Sequence, residues 1–301
     1  MLTICIPVFN YDIRSLIDEL SQQLHAVDVP VEMIIIDDCS TEFYKDRNKT
    51  TCQHHTYIEL SENIGRARIR NLFLEHAMYD YLLFLDCDAL VKSPSFLAAY
   101  IEVLKETPWV VCGGRLYDQK RPSRDKLLRL KYGMRRESQP YTVRSKFPNK
   151  SFMTNNFLIK REVLEQHPFD ERITQYGHED TLFGYVLKKK NIAITHIDNP
   201  ITNGDFELNV AYLTKTRHGI VNLIHILNFT EETDDLMNDI AILRTYTQVR
   251  KIEHIIRLLF AGMKPLLTFL LTKGYVSLFL FDFYKLGILI ETKRKNKQNV
   301  Q

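Results

Sequence analysis

The sequence predicts an α/β fold with a mostly parallel central sheet flanked by helices, extended at its C-terminal end by a helical region. Three observations carry this. Short apolar runs, of the kind that become strands buried on both faces, end abruptly in carboxylates at Val31–Asp38 and Tyr81–Asp88. Between the first such runs lies a helical repeat, Ile13, Leu16, Ile17, Leu20 and Leu24. Past about Asp205 glycines thin out and helical periods dominate to the end.

In chain order, Leu2–Phe9 opens as a β-rich run with Pro7 near its end, where a ladder donor is not needed. The amphipathic helix follows, and Val31–Ile36 closes a strand–helix–strand unit whose strands should be parallel. Phe43–His55 is polar and reads as a loop or short helix; Tyr57–Leu60 reads as a strand. Arg66–Met78 reads as a helix with a basic first half, Arg66, Arg68 and Arg70. After Tyr81–Leu85 and its Asp86-Cys87-Asp88 end, Ser93-Pro94 predicts a helix start. Trp109–Gly114 predicts a strand with a glycine exit, and Gln119–Lys150 turns polar and basic, either a solvated face or a segment that meets an anionic ligand. Phe152–Ile159 and Ile192–Ile197 are the last strand-like runs, with a short helix at Arg161–His167. Glu179 and Asp180 sit in the first turn of a further helix, where the helix dipole alone favours carboxylates.

The chain has 301 residues, 45% apolar and 26% charged, with mean hydropathy −0.21, enough for one large or two modest cores. A net charge of +3 gives no footprint for nucleic acid. Five cysteines (5, 39, 52, 87, 112) include no CxxC pair, so a disulfide framework or zinc site is not expected and a reduced cytosol fits. Met1 runs straight into a strand without a basic leader, and no uninterrupted apolar run reaches the length of a membrane span. Leu266–Leu271, Val276–Phe281 and Leu286–Ile290, with the basic end 293–297, suit contact with an anionic membrane surface, packing on the core, or a homodimer contact.

Two carboxylates at a strand's carboxyl end suit Mg²⁺ or Mn²⁺ bound together with substrate phosphates. An acid-terminated first unit, an Asn-x-Gly segment at Asn63–Gly65, the Asp86-Cys87-Asp88 strand end and Gly177–Asp180, in that order, resemble the family 2 glycosyltransferases of GT-A fold, a Rossmann-like architecture. The resemblance spans roughly Leu2 to Gly204, and Phe152–Leu227 resembles bacterial, Bacteroides-type, enzymes of surface-polysaccharide synthesis. It implies a catalytic domain over 1–205, with a nucleotide-binding half over 1–90 and an acceptor half over 91–205, followed by a helical region over 206–301.

By the same resemblance the reaction is inverting transfer from a nucleotide-diphosphate sugar, here a UDP-sugar, to a hydroxyl of a glycan or lipid-linked acceptor at the inner face of the cell membrane. Pro7, Phe9, Asp37, Asp38, Asn63, Arg70 and Asp86 are the implied nucleotide-sugar contacts, and Asp88 with Asp86 the DxD metal ligands. Asp180 is the implied base, with Glu179 orienting the acceptor or taking its place; Thr154, Asn155, Asn156 and His178 lie on the acceptor side. The sequence departs from the family after Asp198–Thr202, where relatives carry a His and this chain has Asn203; Asn203 or His196 is left as the third metal ligand. Two other readings are a catalytically degenerate scaffold and a nucleotidyltransferase. The latter needs a glycine-rich phosphate loop that Val8-Phe9-Asn10-Tyr11 lacks.

Overall fold

The computed structural model describes residues 1–118, 120–204, 206–230 and 233–298. Gln119 and Asp205, expected to open the basic segment and to close the first domain, lie outside them. The chain forms two compact units.

The first unit holds Met1–Asp118, Glu137–Thr174 and Glu179–Asp205. It opens with β1 (Leu2–Val8), α1 (Arg14–Leu24), β2 (Val31–Asp37), α2 (Glu42–Thr51), β3 (Thr56–Glu59), α3 (Arg66–His76) and β4 (Tyr81–Leu85). The order β3-β2-β1-β4 is parallel throughout. Side chains alternate across β1: Leu2, Ile4, Ile6 and Val8 enter one core, while Cys5 enters the other. Buried residues of α1 share the first core and those of α3 the second, so helices cover both faces. Pro7 is tolerated because the ladder of β1 with β4 stops at Cys5↔Phe84, and Pro7 pairs with Ile36 of β2 alone.

β5 (Ala89–Leu90) follows, then α4 (Phe96–Leu104), β6 (Val110–Cys112) and β7 (Arg115–Tyr117). α4 begins two residues beyond the expected Ser93-Pro94 start. The Phe96 amide donates to the Ser93 carbonyl at 3.3 Å, so Ser93-Pro94-Ser95 is a turn ahead of the helix. The large sheet is completed by β8 (Asn156–Lys160) and β9 (Ile194–His196) in the order β3-β2-β1-β4-β8-β6-β9. β8 runs antiparallel to both β4 and β6. β10 (Ile201–Asn203) joins β5 and β7 in a second, three-stranded sheet.

The polar segment after β7 is folded, into α5 (Leu127–Tyr132) and α6 (Tyr141–Arg144), where a solvated face or a ligand-seeking segment was expected. Arg144 is buried and donates to the carbonyls of Cys112, Gly113, Ile197 and Gln139. Then come α7 (Arg161–Gln166) and α8 (Glu179–Lys189). The second unit holds Gln119–Arg136, Gln175–His178 and Phe206–Gln301. Its main helices are α9 (Asn209–Phe229), α10 (Thr233–Asp239), α11 (Ala241–Val249), α12 (Glu253–Thr272) and α13 (Leu278–Gln298). Contrary to the sequence expectation, the helical stretch Ala241–Thr272 is long and apolar enough, by length and composition, to cross a membrane. Charges placed sparsely along it break every uninterrupted apolar run without lowering its average.

Candidate active site

The site is built where the two sheets of the first unit meet. Asp86 follows the carboxyl end of β4 and Asp88 immediately precedes β5. The small sheet pairs Asn203 of β10 with both Ala89 of β5 and Tyr117 of β7, which brings residues more than a hundred positions apart onto one floor. Asn203 donates from Nδ2 to Asp88 Oδ2 at 2.8 Å. Its other amide atom, Oδ1, is buried without a hydrogen-bond partner. Burial, and then the neighbouring Asp86, push the Asp88 carboxyl above the usual carboxylate range.

Asp86 is held differently. Arg70, 2% exposed on α3, donates from Nη2 to Asp86 Oδ1 at 3.0 Å, and Arg115 Nη2 lies 3.8 Å from Oδ2. Arg115 also reaches Glu137 at 3.4 Å and the Tyr117 hydroxyl at 3.3 Å, while Tyr117 donates to Glu137. With its amide oxygen turned toward Arg115, Asn155 accepts from Nε at 2.7 Å. Sequence reasoning missed Arg115; its signal was a lone arginine directly after the glycine exit Gly113-Gly114.

The later acid pair opens α8. Glu179 is buried and accepts from Arg66 Nη1 at 3.2 Å. Burial pushes its carboxyl up, but the Arg66 and Arg70 guanidiniums outweigh this and hold it below the ordinary range. Asp180 behaves oppositely. Its deeply surrounded carboxyl, with the Glu179 charge beside it, is pushed up to about 6, although the Thr181 amide and hydroxyl donate to its Oδ1 at 2.7 and 3.2 Å. One face of α3 therefore serves both acid pairs: Arg66 acts on Asp88 and Glu179, and Arg70 on Asp86, Glu179 and Asp180.

Other expected contacts are placed elsewhere. Asp37 is fully buried, with Oδ1 accepting from the Ser40 amide at 2.6 Å and Oδ2 from the Tyr57 hydroxyl at 3.0 Å. It braces the β2 turn and offers nothing to a nucleotide. Asp38 accepts from the Ile64 and Gly65 amides at 2.7 and 3.1 Å, and Asn63 donates to the Asp38 carbonyl at 3.1 Å. Asp38 thus positions the loop before α3, where Gly65 takes φ +82°. Phe9, just past the end of β1, is half-exposed. Asn156 is 1% exposed, bonded to the Tyr100 hydroxyl and the Gly114 and Asn199 carbonyls, so it ties strands together and cannot meet an acceptor. Thr154 and Asn155 are also buried. His178, at φ +70°, belongs to the second unit. His196 is excluded as a metal ligand: Nδ1 accepts from Arg144 at 2.7 Å and Nε2 donates to the Pro148 carbonyl at 3.0 Å. Burial lowers its pKa to about 4, which keeps the ring neutral against the arginine.

Residues 3–167, more than half of the chain, match the model of glycosyl transferase family 2. The chain is a family 2 glycosyltransferase. Among solved structures, this glycosyltransferase is similar to a mannosyltransferase from Pyrobaculum calidifontis in complex with GDP-Man and Mn²⁺. The two share 16% identity at a TM-score of 0.62, over 100% of this chain and 88% of that one. It is also similar to glucosyl-3-phosphoglycerate synthase from Mycobacterium tuberculosis in complex with Mn²⁺, UDP and glucosyl-3-phosphoglycerate. There the identity is 18% and the TM-score 0.52, over 77% of this chain and 81% of that one. Both likenesses bear on fold, and they agree with the mainly parallel sheet and helical extension described above. No curated protein matches the glycosyltransferase.

Proposed function

We propose that this glycosyltransferase moves a sugar, with inversion, from a nucleoside-diphosphate donor such as a UDP-sugar to a hydroxyl of a glycan or lipid-linked acceptor in cell-surface polysaccharide synthesis. The observation that carries this reading is the joint service of α3 to two acid pairs. Arg66 and Arg70 act on the Asp86–Asp88 pair and on the Glu179–Asp180 pair alike. A donor diphosphate beside the first pair and an acceptor hydroxyl beside the second would face each other across these cations.

Asp180 is the base in this reading. A carboxylate with pKa about 6 is ionised at neutral pH, yet takes a proton about a hundredfold more readily than an ordinary aspartate. Glu179, ionised and clamped by Arg66, orients the acceptor and holds the Asp180 proton affinity up; it is not itself the base. A single displacement assisted by one base inverts the anomeric centre. Phe9 offers its exposed ring to the nucleobase, and Pro7 lines the same strand end.

A divalent cation, Mg²⁺ or Mn²⁺, fits the residues present. The Asn203 Oδ1 atom, buried without a partner beside Asp88, is an oxygen donor waiting for a cation, and Asp88 supplies the carboxylate. Asp86 contributes less, because Arg70 and Arg115 already hold it. When bound, such an ion would offset charge developing on the departing diphosphate. Arg70 and Arg115 keep Asp86 in place, and Arg66 adds positive charge next to the donor side.

The same reading puts the enzyme in the cytoplasm at the inner face of the membrane, with the C-terminal helices in peripheral contact, and takes it as akin to Bacteroides-type enzymes of surface-polysaccharide synthesis. It keeps the catalytic residues within 1–205, ahead of the C-terminal helical region, and it leaves room for a homodimer. Asn203, standing where the family pattern has His, favours one competitor, a degenerate scaffold. Slow hydrolysis of UDP-glucose without acceptor would exclude it. The direct test is Asp180→Asn. Transfer should fall on the order of 10²–10⁴-fold while UDP binding with Mn²⁺, read by calorimetry, stays within error. Transfer near the wild-type rate would remove Asp180 from the chemistry.

A further inference from the structure

Helix α12 is apolar on two opposed faces, and only one of them is covered. Ile256, Phe260, Leu267 and Leu271 are buried and face α9 and α13. Ile255, Leu258, Leu259, Met263, Leu266 and Phe269 are exposed, Leu258 by 64%. At 100° per residue the exposed set and its small neighbours Ala261, Gly262 and Pro265 sweep an arc of roughly 200°; no Lys, Arg, Asp or Glu interrupts it, and the exposed His254 near one edge is its one titratable side chain. Among the 18 most apolar consecutive residues of Ala241–Thr272, 22% are buried, the opposite of a core helix. Tyr275 and Phe279, which follow α12 in the chain, are exposed as well, the latter by 79%. An arc of this size exposes on the order of several hundred Å² of apolar surface, beyond what scattered exposed residues account for.

What covers the face is indicated by charge. The one acid of α12, Glu253, is engaged by the Tyr246 hydroxyl at 2.8 Å, and Lys264 is turned to Glu291 of α13 at 2.6 Å. Cations mark both ends of the bare arc: exposed Arg250 and Lys251 before it, exposed Lys273 after it. Two-fold pairing with a second copy would set Arg250 and Lys251 against Lys273 of that copy, with no acid on the arc to offset them. An anionic sheet of lipid headgroups matches both the apolar middle and the basic ends.

We propose that the outer face of α12 is a lipid-contact surface that lies on an anionic bilayer, with its apolar arc in the headgroup boundary and Arg250, Lys251 and Lys273 on the lipid phosphates. The proposal deepens the reading of a lipid-linked acceptor and rests on it for its purpose, though not for its physics. The opposite face stays packed on α9 and α13, so the helix lies along the surface.

Flotation of the full chain with vesicles of phosphatidylglycerol and phosphatidylcholine tests this, with pure phosphatidylcholine as comparison. The wild type should float with the anionic vesicles, less so in high salt. Leu259→Gln with Leu266→Gln, both at exposed positions, should lower partitioning about tenfold or more with an unchanged melting temperature. Lys251→Glu with Lys273→Glu should abolish the preference for anionic vesicles. Wild-type protein that stays at the bottom of the gradient overturns the proposal, as do leucine variants that float equally well. A wild-type dimer in sedimentation analysis that the leucine variants disperse, without flotation, assigns the face to a second copy and also overturns it. Hydrolysis of a set of UDP- and GDP-sugars, assayed on the same samples, separates the two readings: active protein that does not float defeats the membrane surface alone, and protein that floats but hydrolyses none of them defeats only the transferase reading.

Discussion

Neighbouring carboxylates in this site have been given opposite chemistry by their partners. Glu179 lies against a guanidinium and stays ionised, whereas Asp180 has burial and the Glu179 charge acting against ionisation. A base must be ionised to act, so kcat/KM for transfer should fall about tenfold per pH unit below a limb near pH 6. Glu179→Gln removes the like charge that raises Asp180. Its limb should therefore move to lower pH, with turnover at neutral pH retained to within about tenfold. An unmoved limb, or one moved upward, would mean that Asp180 does not set it. The place of both acids at a helix start was legible in the sequence, and the family resemblance implied Asp180 as the base. What sets their proton affinities apart was not legible, because Arg66, which holds Glu179 ionised, lies on a helix 113 residues earlier in the chain.

At the scale of elements, short strands and turns are held by single side chains. Arg144 ties α6 to the exits of β6 and β9 through four carbonyls and His196. Gly114 makes room for it. It takes φ +94°, and a Cβ there would sit 2.6 Å from the Arg144 guanidinium carbon. Gly114→Ala should thus cost at least about 2–3 kcal/mol, from a left-handed alanine and a displaced buried cation, read as a lower urea midpoint at unchanged slope. In sequence Arg144 was one of many cations in a polar run, indistinguishable from a solvated one. Burial of a charged group is decided by the acceptors around it, and here those come from two separate strand ends and the loop before α6.

For the whole molecule, the helical unit is not simply the end of the chain. It takes in Gln119–Arg136, and Asn209 ties the pieces: its Oδ1 accepts from the Leu128 amide at 2.9 Å and its Nδ2 donates to the Arg124 carbonyl at 3.0 Å. Arg136 reaches Asp282 and Lys131 the Val276 carbonyl within the same unit. A chain ended after residue 204 would keep Leu128 and Leu130 but lose the helices that bury them. It should bind the dye ANS more strongly than the full chain and aggregate at lower temperature. Equal dye binding and an equal aggregation temperature would show that 119–136 finds its packing without the C-terminal helices.

Taken alone, the sequence determined the α/β class, the first parallel unit and the strand-end and helix-start acids, because buried strands and amphipathic helices repeat over a few residues and leave a local record. Tertiary structure alone decided that β8 runs against its neighbours and that Asp37, Asp38 and Asp86 are held by protein donors. It also set Asn203 against Asp88 from 115 residues away, and left one of the two apolar faces of α12 bare. Periodicity records that a side chain is apolar or charged. Whether it ends up paired, buried or exposed depends on which distant segment is folded against it.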